Sequence, residues 1–372
     1  MPSTFHETDL ARLERRGRRR TLALAEGVDF SSNDYLALAG SPELRQAAQD
    51  ALRRGVPLGS GGSRLLRGNH AEHEALEDAA ARLFGSAGAL WAGSGYSANS
   101  MLLAALPQPG DLVAYDAMVH ASAHEGMRLS RAECRAFAHN DPSAAADTIG
   151  AWRAEGGRGT PWIAFETLYS MDGDTAPVAE FAALAEREGA MLLVDEAHAV
   201  GVCGPGGRGL AADLHGRADT IVLATCGKAL GCEGALVLGP RLYRDFLVNR
   251  GRGFIFSTAP SPLIAATLRA SLAIAAQADD RRERLRALVR HAAGVLEPLG
   301  IEPSGSHIQP IVIGDDLRTM EIAGLLQARG FDVRGIRPPT VPEGTARLRV
   351  SITLNVGESD IDDLAQALKD IL

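Results

Sequence analysis

"AMLLVDEAHAVG", residues 190–201, is an unbroken apolar run that stops on two acids, an alanine and a histidine. Met191 to Val194 is too short for a helix and shows no polar alternation. Such a run fits a strand buried on both faces of a sheet. The same texture recurs outward from it in "GALWAG", "DLVAYD", "PWIAFE" and "TIVLAT". Helical segments such as "HEALEDAAARLF", "SANSMLLAAL" and "VAEFAALAEREG" lie among these runs. Short apolar runs alternating with helices predict an α/β fold: a mostly parallel sheet with helices on both faces. After about residue 260 a long alanine- and arginine-rich helical region leads to "IQPIVIG", "FDVRGI" and "ARLRVSIT". These read as strands of a smaller C-terminal α/β domain. The expected division is an N-terminal arm (1–42), a large domain (43–275) and a small domain (276–372).

A chain of 372 residues, 46% apolar and 23% charged, is long enough for a large core and ordinary for a globular protein. Its net charge of −8 argues against broad binding to nucleic acid or to an anionic membrane surface. The one basic run, "RLERRGRRR" (12–20), fits an amphipathic first helix with Leu10 and Leu13 on its apolar side. No apolar stretch approaches the ~20 residues that span a bilayer. The cysteines Cys134, Cys203, Cys226 and Cys232 form no C-x-x-C pair and read as thiols in a reducing cytoplasm.

Ligands of an open parallel sheet bind beyond the carboxyl ends of its strands. The residues just after the apolar runs are therefore the candidates: Gly95, Tyr96 and Ser97; Ser170; Asp195 and His198; Thr225 and Lys228. "VDEAH" also matches the Asp-Glu-Ala-His box of nucleic-acid-stimulated ATPases. That alternative demands an upstream G-x-x-x-x-G-K-[ST] loop. The one Gly-Lys pair, Gly227-Lys228, lies downstream and is followed by Ala229.

A second reading starts from Lys228. Of 38 basic Lys and Arg residues, only Lys228 and Lys369 are lysines. Where charge alone is needed this chain uses arginine. An amine can form a Schiff base and a guanidinium cannot. Pyridoxal 5′-phosphate would supply the aldehyde, and its ring nitrogen needs an acid partner. Asp195 has that chemistry. The phosphate needs backbone N–H groups at a helix N-terminus, which "GSGYSAN" offers after a strand, with Gly95 allowing close approach and Tyr96 starting the helix. His198 and Ser170 are placed to orient the ring's phenolic side.

The stretches "FSSNDYLAL", "GSGGSRLLRGNHAEHEALE", "SGYSANS", "VHASAHEG", "FAHND", "SMDGDTAP", "VDEAHAVGV", "TCGKALG", "FIFSTA" and "IRPPTVPEGTARLRVSIT" carry a resemblance over nearly the whole chain. The chain resembles the α-oxoamine synthase family of fold-type-I pyridoxal-phosphate enzymes. Within it, the chain is most similar to the branch that joins L-alanine to a pimeloyl thioester for biotin synthesis. Relatives that use glycine with acetyl or succinyl donors are the alternative. The resemblance implies that Lys228 holds the cofactor, Asp195 pairs with its ring nitrogen, and His120 stacks on the ring. It places Ser170 and His198 at the phenolic side, and Thr225, Gly95 and Tyr96 near the cofactor, the last two at the phosphate. Ser257 and Thr258 would reach the phosphate of a partner subunit in a homodimer. Asn33 and Arg349 are implied for the amino acid carboxylate, with His120 also at the substrate. Thr340 and one of Arg18 and Arg19 are implied for the acyl donor, pimeloyl-CoA or a pimeloyl carrier protein. Ala199 and Cys226 depart from the family pattern, which has glycine and commonly an aromatic there. No metal, nucleic acid or membrane partner is implied.

Overall fold

The computed structural model describes residues 4–372, so the first three residues of the expected arm lie outside the described residues. The chain divides into two compact units. The larger comprises Leu36–Tyr169 and Thr175–Arg282; the other comprises the chain up to Tyr35 together with Ser170–Asp174 and Glu283–Leu372.

In the larger unit the sheet strands are β1 (Gly88–Ala92), β2 (Leu112–Asp116), β3 (Glu133–Phe137), β4 (Pro161–Glu166), β5 (Met191–Asp195), β6 (Thr220–Thr225) and β7 (Ala235–Gly239). Their order among the described residues is β1-β7-β6-β5-β4-β2-β3. Neighbours from β6 to β3 run parallel, while β7 is antiparallel to both β1 and β6. The apolar runs split by alternation, because successive side chains of a strand point to opposite faces. Leu192, Val194, Val222 and Ala224 join one core cluster. Met191, Leu193, Ile221 and Leu223 join the other. Each fully buried side chain of this kind contributes roughly 1.5–3 kcal/mol.

Two strands carry weaker signals in sequence. β3, "ECRAF", lies at the sheet edge and is mostly half-buried or exposed, so it needs no apolar run. β7 follows β6 after residues 226–234. That connection is too short for a parallel crossover, so the chain returns antiparallel and leaves Lys228 in the intervening loop.

The other unit holds a three-stranded antiparallel sheet of β8 (Ile308–Gly314), β9 (Arg334–Ile336) and β10 (Ala346–Ser351), in the order β9-β10-β8. The helices Asp316–Ala328 and Glu358–Ile371 belong to it. The expected boundaries at 42 and 275 shift to 35 and 282, and the arm is not a separate part. Val28–Asp29 pairs in parallel with Phe331–Asp332, and the Ser351 N–H donates to the Phe30 carbonyl at 2.8 Å. The second boundary falls inside the helix Asp279–Leu296. Arg282, buried at its start, donates to the carbonyls of Ala275 and Gly201 and holds that first turn in the larger unit. The N-terminal helix is Thr4–Arg15, and none of its residues is buried in the single chain. Among the described residues no helix is long and apolar enough to cross a membrane.

Candidate active site

The ends of β5 and β6 and the start of the helix Gly95–Ala105 bring together most of the residues expected at the cofactor. Ser94 caps that helix in extended conformation, its Oγ accepting the Ser97 N–H at 3.0 Å. The free N–H groups of the first turn make a seat for an anion. Gly95 is needed here because a Cβ would come within 2.7 Å of Thr225 Oγ1. Ser94 and Ser97 also line a cavity of about 260 Å³ together with Arg64, Ser257 and Thr258. Within one chain, Thr258 therefore shares a cavity with the phosphate-type turn.

Asp195 ends β5. Its Oδ1 accepts the Ala197 N–H at 2.9 Å, and its Oδ2 accepts Asn99 Nδ2 at 2.9 Å. Burial pushes its carboxyl up, opposed by Lys228, the Ala197 N–H, His120 and Asn99. Asn99 also donates to Ser122 Oγ at 3.1 Å, and Ser122 Oγ meets His120 Nδ1 at 2.8 Å. His120 Nδ1 also accepts the Ser122 N–H, so in the neutral ring the proton sits on Nε2. Burial lowers the His120 pKa, which keeps the ring neutral; Lys228 and His124 act in the same direction and Asp195 against it. The Tyr96 ring meets His120 edge-on with centroids 6.4 Å apart. Lys228 Nζ lies 2.7 Å from His198 Nε2.

Asn99 and Ser122 were not read from the sequence. The signal was present for Asn99: it follows Gly95 by one helical turn, on the same face. Ser122 is the residue whose N–H the His120 cap satisfies.

The remaining candidates lie in the other unit. Arg349 donates from Nε to the Ser170 carbonyl at 2.6 Å, from Nη1 to Ser351 Oγ at 2.8 Å and from Nη2 to Asn33 Oδ1 at 3.0 Å. Ser170 thus shares a unit with Arg349 and Asn33. Arg18 is held by Asp316 and Glu343, and Arg19 by Glu14. Arg20, passed over in the sequence, is the arm arginine that reaches Thr340, with Nη2 3.2 Å from its Oγ1. The departures from the family pattern are packing positions: Ala199 and Cys226 are fully buried, and Cys226 belongs to the core of one sheet face.

Glu196, next to Asp195, does structural work. Its buried carboxylate accepts Thr167 Oγ1 at 2.8 Å and the N–H groups of Leu210 and Ala211, pinning the loop that follows. Burial nevertheless pushes its carboxyl from the ordinary 4.5 up to about 7. An acid raised on folding binds more protons folded than unfolded. Its contribution is complete below its unfolded pKa and is lost as pH rises through the folded value. Glu196→Gln cannot titrate, so its melting temperature is expected to fall less than the wild type's between about pH 5 and about pH 7. Calorimetry across that range checks this; parallel slopes would remove Glu196 from the account.

The cofactor reading meets a fitting site. The larger unit holds a half-buried carboxylate with two donors on it, an amine at the Lys228 position, a neutral histidine and a helix N-terminus that a Cβ would obstruct. The family model for class I and II aminotransferases matches residues 25–368. The chain is 44% identical over 340 residues to the 8-amino-7-oxononanoate synthase of Chromobacterium violaceum, covering 91% of this chain and 87% of that protein. It is 43% identical over 360 residues to the 8-amino-7-oxononanoate synthase of Burkholderia cenocepacia, covering 94% and 90%. Among solved structures, a serine palmitoyltransferase from S. paucimobilis with bound PLP–myriocin superimposes with a TM-score of 0.90 at 27% identity, over 99% of this chain and 96% of that one. The chain belongs to the class I and II aminotransferase family and, within it, to the fold-type-I α-oxoamine synthases.

Proposed function

We propose that this chain uses pyridoxal 5′-phosphate to condense L-alanine with a pimeloyl thioester, releasing CO₂ and the free thiol and leaving 8-amino-7-oxononanoate for biotin synthesis. The observation that carries the reading is Lys228: one of two lysines in the chain, beside His198 and with its charge favouring the anion of the half-buried Asp195. The names of relatives at 43–44% identity support the substrate pair.

When bound, the cofactor supplies an aldehyde for an amine and a protonated ring that accepts electrons. Asp195 holds the proton at the ring nitrogen, its own charge kept in place by Asn99 and Ala197. Lys228 is the base that takes the proton from the alanine Cα, with His198 Nε2 in contact. His120, neutral and locked by Ser122, would cover the ring face. The turn after Ser94, with Thr225, would hold the phosphate, and Ser170 and His198 would serve the phenolic side. Arg349 and Asn33 receive the alanine carboxylate, which leaves as CO₂. Thr340 contacts the acyl donor, and Arg20 is the arm arginine in contact with it. The thioester loses its thiolate as the new carbon–carbon bond forms. The pocket's low dielectric raises the worth of each oriented charge.

The reading includes a homodimer in the cytoplasm. Leu58, Leu66 and Phe256 are large apolar side chains exposed in the single chain, which suits burial against a second copy. A runner-up is a sister condensation with glycine or serine, since serine palmitoyltransferases superimpose closely. One methyl group separates alanine from glycine, a distinction worth only roughly 1–3 kcal/mol in a pocket. The test crosses alanine, glycine, serine and threonine with acetyl, succinyl, pimeloyl and palmitoyl thioesters. Alanine with pimeloyl is expected to give the highest kcat/KM. A faster glycine or serine pair would move the chain to a sister activity.

A further inference from the structure

Three carboxyl groups end three neighbouring strands at the floor of the site: Asp116 on β2, Glu166 on β4 and Asp195 on β5. All three are buried or nearly so. Glu166 and Asp195 are register partners on parallel strands, so their side chains leave the sheet on the same face.

The two outer carboxyls are equipped to carry charge. Asp116 accepts the Met118 N–H at 2.8 Å, the Asn140 N–H at 2.7 Å and a contact from His139 Nδ1 at 2.9 Å. Asp195 accepts Asn99 and the Ala197 N–H. The middle one is not so equipped. The His120 N–H favours the charged form of Glu166, yet Oε1 has no hydrogen-bond partner among the described residues. A buried carboxylate oxygen with no donor is costly, whereas a buried acid hydrogen needs only an acceptor.

An acceptor is at hand. A small cavity of about 20 Å³, room for one water, is lined by Glu166, Asp195, Asn99 and His120 among apolar neighbours. Burial, Asp195 and Asp116 push the Glu166 proton on; Lys228 and the His120 N–H pull the other way, and burial is the largest of these effects.

We propose that Glu166 is a positioning residue for Asp195: a neutral acid that donates a hydrogen bond across this cavity and leaves the negative charge on Asp195. Its consequence for catalysis rests on the cofactor reading above. Through Glu166 the chain fixes which of two adjacent acids faces the ring nitrogen as an anion.

The test compares the holoenzyme with Glu166→Gln and Glu166→Leu. Glutamine keeps the shape, the neutrality and a donor. At neutral pH the infrared spectrum of the wild type should show a protonated-carboxyl stretch that Glu166→Gln lacks, with or without cofactor. Exchange of the alanine α-proton in D₂O, without acyl donor, should stay within about threefold of wild type in Glu166→Gln. It should slow at least about tenfold in Glu166→Leu, with KM for alanine little changed. Absence of that stretch from the wild type overturns the proposal, as does equal slowing in both variants or none in Glu166→Leu. If Glu166→Leu fails to fold, the infrared comparison with Glu166→Gln decides. Neither readout uses an acyl donor, so a wrong pimeloyl assignment leaves this test standing.

Discussion

Lys228→Arg is expected to abolish turnover, by at least about 10³-fold, while the fold survives. The substitution keeps the positive charge in the loop between β6 and β7 and removes the amine. A guanidinium neither forms a Schiff base nor gives up its proton near neutral pH. The neighbouring contact, Lys228 Nζ to His198 Nε2 at 2.7 Å, could be remade by an arginine, so structural damage should be small. Circular dichroism and melting temperature check the fold. Borohydride reduction of the wild-type holoenzyme, followed by digestion, should place the pyridoxyl group on the peptide containing Lys228. A label on the peptide containing Lys369 would overturn the assignment, as would appreciable turnover by the arginine variant.

Asp195→Asn should leave the cofactor bindable and slow α-proton exchange by roughly 10²–10³-fold. An amide cannot hold the ring nitrogen protonated. It also inherits two donors aimed at a carboxylate, Asn99 Nδ2 and the Ala197 N–H, and can accept well from one side only. The second effect predicts that a double change, Asp195→Asn with Asn99→Asp, recovers packing and melting temperature more than exchange. Exchange of the alanine α-proton in D₂O is the measurement. Near-normal exchange in Asp195→Asn would assign the ring nitrogen to another residue.

Much of this site was legible before any coordinate. A run such as Met191–Val194 has no polar residue to turn toward water, so it must lie between two layers; sheet, layers and the strand ends that bear chemistry follow from that. The lysine count set Lys228 apart from the arginines because composition removed charge as an explanation. Asp195, His198, Gly95 and Thr225 came from their positions just after apolar runs. The long motifs from "FSSNDYLAL" to "ARLRVSIT" placed the chain in its family.

What only the tertiary structure decided depends on contacts between residues far apart in the chain. The arm up to Tyr35 joins the unit containing β10 because the Phe30 carbonyl takes the Ser351 N–H, a pairing no local pattern encodes. Arg18 is committed to Asp316 and Glu343, whereas Arg20 reaches Thr340; three adjacent arginines look alike until their partners are known. Ser170 keeps company with Arg349, since its carbonyl receives Nε. The proton on Glu166 is the sharpest case. In sequence it is one more acid at the end of an apolar run, like Asp116 and Asp195. Which of the three carries charge is set by the donors that distant segments bring to each, and by burial that allows charge only where those donors arrive.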